Sequence, residues 1–272
     1  MPETPMRLIR QHHTRALAQP IVGRPSWWRW ALAGLAAAAP LPLLAQSQGQ
    51  GGNGFLFQRP VVSFGIRGGY ERPNASSDIY RFATEQLTLS KGDFAAAGFH
   101  ADLGVRVSER LEIVASGGSA SRQAPSNFRK FVDTDDKPIE QVTTLRRTPM
   151  TFGLRYALTP PGDRIGKFAW IPNRLTPWIG AGAGYMGYAF RQSGDFVDFK
   201  NLNVFNQTLS DDGFAPMAYA HVALDLQLSR RLALTGDLRY FAARAAMGRS
   251  FEGFDKIDLS GTAATMGLTV RY

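Results

Sequence analysis

The sequence predicts an all-β chain, an eight-stranded antiparallel up-and-down transmembrane β-barrel. Three observations predict it. Segments of alternating polarity recur from Pro60 to Tyr272, and a period of two marks a strand with two unlike faces. The connections alternate between short turns and long loops, as in bacterial outer-membrane barrels. The last segment, Asp258 to Tyr272, sets Ala264, Met266, Leu268, Val270 and Tyr272 against Gly261, Ala263, Thr265, Gly267, Thr269 and Arg271. Terminal residues are usually loose, whereas a closed barrel needs its final strand to pair with its first.

In chain order, residues 1–45 read as a secretory signal peptide. A basic stretch with Arg7, Arg10, Arg15, Arg24 and Arg29 precedes an apolar run that ends in Pro40, Pro42 and small residues, with cleavage expected near Ala45. The run is short for a membrane anchor, which needs about 20 apolar residues, and no later stretch reaches that length. Residues 46–59 open on Q-S-Q-G-Q-G-G-N-G and read as a flexible linker. The barrel is expected over 60–272, with strands near 61–71, 94–107, 111–122, 140–157, 176–191, 214–228, 232–246 and 258–272. These are longer than the 5–6 residues usual in soluble sheets and suit a tilted strand that crosses a bilayer. Ser108–Arg110 and Ser229–Arg231 form the short turns. Loops near 72–93, 123–139, 192–213 and 247–257 lie on the other side. Residues 158–175 are too long for the short-turn side. They predict a structured periplasmic excursion with Phe168 and Trp170 at the membrane surface.

Composition narrows the function classes. The chain of 272 residues has 19% charged residues, 28 glycines and no cysteine. Disulfides, thiolate metal sites and Cys nucleophiles are therefore excluded. The net charge of +9 falls to +5 once residues 1–45 are set aside, and no basic cluster alternates with aromatics, so no nucleic-acid partner is expected.

Alternation assigns the faces. The outward set includes Phe64, Ile66, Phe99, Leu103, Val105, Leu111, Ile113, Met150, Phe152, Leu154, Val222, Leu224, Leu226, Leu234, Leu238, Met266, Leu268 and Val270. Tyr70, Tyr156, Tyr240 and Tyr272 sit near strand ends on the same parity, where an interfacial girdle is expected. Strand five stays ambiguous, because Gly180, Gly182 and Gly184 alternate with Ala181, Ala183 and Tyr185. The inward set is a polar network of Arg67, His100, Asp102, Arg106, Glu112, Arg155, His221, Asp225, Asp237, Arg239 and Arg271. An eight-stranded barrel is just wide enough for side chains to fill, and unpaired buried charges are costly. The lumen is thus expected to be plugged by ion pairs, with Arg106 opposite Glu112 and His221 opposite Arg239. A soluble lipocalin-like barrel would reverse the faces. The signal peptide, strand lengths, loop asymmetry and terminal aromatic argue against it.

The segment D-L-Q-L-S-R-R-L-A-L-T-G-D-L-R-Y (225–240) resembles the penultimate hairpin of the OmpA/OmpW-like small outer-membrane β-barrel superfamily. T-P-W-I-G-A-G-A-G-Y (176–185) looks like its Gly-rich strand five. The resemblance spans most of 60–272. It implies an outer-membrane location, contact with outer-membrane lipid and lipopolysaccharide, a monomer, and Tyr272 as the signal read by the barrel-assembly machinery. The expected role is structural or surface-interactive, and the resemblance implies two alternatives, a narrow transporter of small hydrophobic compounds and a lipid A-modifying enzyme.

Candidate chemistry is sparse. The pairs His100/Asp102 and His221/Asp225 could hold a metal or exchange protons across the lumen, or simply belong to the polar network. Ser116, expected opposite Asp102 with His100 nearby, lacks a G-x-S-x-G setting. No catalytic role, cofactor or metal is expected. The loops hold Phe196, Phe199, Phe205, Phe251 and Phe254 beside several acids. These rings form either an exposed contact surface or a fold over the barrel mouth.

Overall fold

Every predicted strand is present in the computed structural model, which describes residues 6–7, 55–132, 136–166, 169–199 and 203–272. The predicted signal peptide, residues 46–54 of the linker, and Phe168 lie outside the described residues, apart from Met6–Arg7. The barrel strands are β1 (Val62–Pro73), β2 (Ala96–Arg106), β3 (Leu111–Val132), β4 (Pro138–Ala157), β5 (Leu175–Val197), β6 (Val204–Gln227), β7 (Leu232–Ala245) and β8 (Gly261–Arg271). Each pairs antiparallel with its sequence neighbours, and β8 pairs with β1 from Gly261↔Pro73 to Arg271↔Ser63, which closes the ring. Closure leaves no edge strand with unpaired backbone groups, which a bilayer would penalise heavily.

The wall is inside-out relative to a soluble protein. Along β1 the outward residues Val62, Phe64, Ile66 and Tyr70 are exposed while Ser63, Arg67 and Glu71 are buried. The same alternation exposes Phe152 (62%), Met266 (62%), Leu103, Leu154, Val222, Leu224, Leu238 and Leu268. Such a continuous apolar exterior has no place in water. It is the lipid-facing band of a membrane-spanning barrel. Tyr70, Tyr185 and Tyr240 mark its outer rim, and Tyr156 and Tyr272 its inner rim.

β5 is now oriented. Ile179, Ala181, Ala183 and Tyr185 face out, and Trp178, Met186 and Phe190 are buried inside. By the same parity Gly180, Gly182 and Gly184 face inward, and at Gly180 and Gly182 neighbouring side chains lie across them. A Cβ at Gly182 would come within 2.8 Å of the Tyr219 ring, and one at Gly180 would overlap His221 Nε2.

Two predicted loops are corrected. Residues 123–139 and 192–213 are mostly strand: β3 and β4 pair on to Asn127↔Glu140 and, past a register shift, at Val132↔Pro138, and β5 and β6 stay paired to Val197↔Val204. Two long hairpins thus rise beyond the membrane. Along Val204–Gly213 both faces are largely solvated, so the polarity contrast that reveals a strand is missing there, whereas Ala124, Ser126, Phe128 and Ile139 bury one face of the other hairpin. The first loop holds helix α1 (Asp78–Gln86) and a 3₁₀ turn, Lys91–Phe94. The fourth holds a 3₁₀ turn, Arg249–Phe251, and a short pairing of Ile257–Asp258 with β7.

The periplasmic excursion exists as a small hairpin, Gly162–Ile165 with Ala169–Pro172. Trp170 does not expose its ring to its surroundings, however. It is only 4% exposed and packs over Gly162. Leu56 exchanges two backbone hydrogen bonds with it, both 2.8 Å, so the segment entering the barrel docks on this hairpin.

Candidate functional site

The lumen carries the predicted polar residues, but it sorts them into partners that strand spacing did not specify. In the middle layer Arg67 of β1 donates to Asp102 of β2 and lies 3.0 Å from Asp237 of β7. Asp237 also meets His221 Nδ1 at 2.6 Å and Arg239 Nε at 3.4 Å. Ser116 donates to Asp102 at 2.6 Å. One arginine therefore ties β2 to β7 across the β1–β8 seam.

Two clusters lie toward the periplasmic end. Arg155 of β4 donates to Glu112 of β3 at 2.9–3.1 Å, and Ser63 of β1 donates to the same carboxylate. Asp225 of β6 accepts from Trp178 Nε1 at 2.8 Å, Thr235 Oγ1 at 2.6 Å and Arg271. The Arg155 guanidinium lies 4.4 Å over the Trp178 ring, which joins the two clusters through a cation–π contact.

Toward the outer end is a cluster that the sequence reading missed. Glu71 is fully buried and takes His100 Nε2 at 2.9 Å and Arg147 at 2.9 Å. Arg147 also donates to the Leu259 carbonyl at 3.2 Å. Both residues follow the inward parity: Glu71 lies four positions beyond Arg67, and Arg147 eight before Arg155. That parity was the signal available for finding them.

The expected Arg106–Glu112 ion pair is corrected, and the His/Asp candidates take other partners within the polar network. Arg106 and Glu112 do face each other in register, but Glu112 is taken by Arg155 and Ser63. Arg106 Nε and Nη1 are left buried without a partner. His100 and Asp102 do not pair; His100 turns to Glu71 and stacks on Phe241, with ring centroids 6.3 Å apart. Likewise His221 binds Asp237, and Asp225 goes to Arg271, Trp178 and Thr235. Two alternate positions on one strand point the same way but lie several ångströms apart. The nearest opposite charge is therefore more often on another strand. The predicted alignment of His221 with Arg239 is present.

The Ser116–Asp102 contact thus lacks His100, which is held by Glu71. Among the described residues no group of three or more His, Cys, Asp or Glu is arranged to hold a metal ion.

Side chains pack closely in the lumen. The middle layer encloses a cavity of about 10 Å³ beside Arg67, Asp102, Arg155, His221, Thr235 and Arg239. That is room for about one water molecule. Above the ionic layers the barrel is filled with hydrocarbon: Tyr80 and Ile79 of α1 descend onto Phe94, Phe190, Met186, Met217, Phe241, Phe251 and Leu259. The loop aromatics divide between the two expected roles. Phe251 is buried in this plug, whereas Phe199 and Phe205 are exposed. At the outer face Phe82, Phe131, Phe199 and Phe254 meet edge to face, one from each loop region, with centroids 5.6–6.5 Å apart.

No protein-family model matches the chain, and no curated protein matches it. Solved structures do resemble it in fold. The outer membrane protein OprG from Pseudomonas aeruginosa aligns at 12% identity and a TM-score of 0.43, over 80% of this chain and 99% of that one. A major outer membrane protein from Thermus thermophilus aligns at 10% identity and 0.43, over 79% and 100%. Outer membrane protein W of E. coli aligns at 14% identity and 0.38, over 79% and 100%. At these values the likeness concerns the strand ring and nothing finer. The chain itself forms a closed eight-stranded antiparallel barrel with a lipid-facing exterior and a charged, filled interior.

Proposed function

We propose that the protein is a monomeric integral barrel of the bacterial outer membrane with a structural or surface-interaction role, and that its lumen conducts no solute. The observation that carries this reading is the double seal: cross-lumen ion clusters beneath a hydrocarbon plug, with space for about one water in the middle layer. A transporter of hydrophobic compounds would need an apolar cavity under the loops and a break in the wall. Here the apolar region under the loops is packed core and not a cavity, although the β3–β4 ladder is interrupted between Gly117↔Met150 and Ala120↔Arg147, where Pro149 offers no N–H. An enzyme would need a nucleophile beside a base, and His100 is turned away from Ser116. Outer-membrane lipid and lipopolysaccharide are the partners of the wall, and the barrel-assembly machinery is the partner during insertion.

Planar-bilayer recording of the purified barrel tests the reading. The expected outcome is no steady conductance for the native protein. Channels should appear only when both seals are broken, as in Arg67→Ala and Asp237→Ala combined with Tyr80→Ala. Stable channels of defined conductance in the native protein would refute the seal.

A further inference from the structure

Loops one and four, with the upper end of β7, enclose a cleft of about 460 Å³ on the outer side of the barrel. Its walls carry three cations (Arg81 of α1, Arg244 of β7 and Lys256) and three carboxylates (Asp78, Asp255 and Asp258). The net charge is zero, but the two signs are used differently. Asp258 accepts from Ser76 Oγ and, at 3.1 Å, from the Ser260 N–H. Asp78 accepts from the Ile79 and Asp255 N–H groups at 2.9 and 2.8 Å. These two carboxylates are spent on tying the loops together. The three cations are all exposed, and none has an ion pair or a side-chain hydrogen bond among the described residues. The N-terminus of α1 opens into the same cleft at Ser77 and Asp78. Its dipole adds positive potential there.

The position of the cleft selects the source of the anion. Arg244 faces outward, between the buried Ala243 and Ala245. It stands four residues beyond Tyr240, about 13 Å along a strand that tilts ~45° in such barrels. Above an interfacial tyrosine, that is headgroup level. Asn74 donates to the Tyr240 hydroxyl at 3.1 Å, which fixes the floor of loop one at the same rim.

We infer that this cleft is a lipid site that grips the phosphate of a phosphorylated outer-leaflet glycolipid with Arg81, Arg244 and Lys256. Two planar guanidinium forks suit phosphate oxygens, and the lysine adds a mobile point charge. Asp255, whose carboxylate accepts no hydrogen bond among the described residues, faces the ligand's hydroxyl or ammonium groups. The inference rests on the reading of the barrel as an outer-membrane protein and adds a specific ligand site to it.

The test uses the full barrel refolded in detergent micelles. It is titrated with bisphosphorylated lipid A, with the same lipid stripped of its phosphates, and with inorganic phosphate. Lipid binding is read by native mass spectrometry and phosphate binding by calorimetry. The expected result is at least a tenfold preference for the phosphorylated lipid. The triple variant Arg81→Ala/Arg244→Ala/Lys256→Ala should lose that preference while keeping the gel mobility of the folded barrel. Arg191→Ala, an outward arginine on β5, should bind as the native protein does. Equal affinity of native and triple-variant barrels, or an equal loss in Arg191→Ala, would overturn the site. Inorganic phosphate binding as tightly as lipid A would overturn the lipid assignment and make it a site for a soluble anion. Failure of the membrane reading has its own signature, a barrel that does not enter vesicles whatever residues stand at 81, 244 and 256.

Discussion

Arg106 illustrates how far residue-level reasoning reaches. The buried network holds six arginines, at 67, 106, 147, 155, 239 and 271, against carboxylates at 71, 102, 112, 225 and 237. One cation is therefore in surplus, and the structure leaves Arg106 without a carboxylate of its own. Removing it should be harmless: Arg106→Met is expected to leave stability unchanged or raise it by about 1–4 kcal/mol, as for other buried ion groups replaced by apolar ones. Glu112→Gln should do the opposite, costing about 3–5 kcal/mol, because it strands Arg155. Urea midpoints for folding into lipid vesicles check both, and a destabilised Arg106→Met would contradict the surplus. A steric prediction comes from β5. Gly180→Val should cost about 1–3 kcal/mol by overpacking against His221, while Ala181→Val, on the lipid face, should cost little in the same assay. Alternation made the identity of the inward residues legible in the sequence. It could not say who meets whom, because contacts across a lumen depend on strand tilt and stagger. Hence Glu71, not Asp102, holds His100.

At the scale of elements, the sequence marked where strands cross the membrane more clearly than where they stop. β6 begins at Val204, well before the predicted start at 214, because V-F-N-Q-T-L-S-D-D-G is wetted on both faces and carries no apolar alternation. The cap was equally hidden. Helix α1 becomes visible as a plug only when Ile79, Tyr80 and Ala83 meet side chains from distant strands. Two predictions belong here. Tyr80→Ala should remove about 3–5 kcal/mol, the usual cost of deleting a large buried aromatic side chain, and should loosen the cap without opening a pore, since the ionic layers below remain. Hydrogen exchange in α1 together with bilayer recording distinguishes loosening from opening. The second concerns acid. Burial alone would raise the carboxyl pKa of Asp258, but the hydrogen bonds from Ser76 and Ser260 outweigh it and hold it below its ordinary value. A depressed carboxyl stabilises the fold above its unfolded pKa of about 3.9, and that contribution fades as pH falls toward the folded value. Exchange protection at residues 76–79 and 257–260 should therefore be steady at neutral pH and fall below about pH 4. It should be insensitive to pH in Asp258→Asn.

At the scale of the whole molecule, the ring stands or falls at one seam. β8 meets β1 along its full length, and the last contacts at the inner rim involve Tyr272. Its N–H donates to the Val62 carbonyl at 2.8 Å, and its own carbonyl accepts from the Val61 and Val62 N–H groups at 2.6 and 2.9 Å. Its ring faces lipid beneath the Arg231 guanidinium, 5.5 Å away. Removing this residue unpairs the start of β1 where water gives way to hydrocarbon. Each backbone group left without a partner there costs several kcal/mol. The docked segment around Leu56 grips the periplasmic hairpin, not the seam, so it cannot compensate. Deleting Tyr272 should therefore sharply lower the fraction of chains that fold into lipid vesicles. Deleting Gln46 to Gly54 should leave that fraction near the native level. Tyr272→Phe keeps the backbone bonds and the ring, and should insert as the native chain does, whereas Tyr272→Asp should fail with the deletion by setting a charge on the lipid face. Vesicle-folding yields of the four variants, read from heat-modifiable gel mobility, decide the matter. If the Tyr272 deletion folded as well as the Gln46–Gly54 deletion, closure would have to be secured elsewhere along the β1–β8 seam.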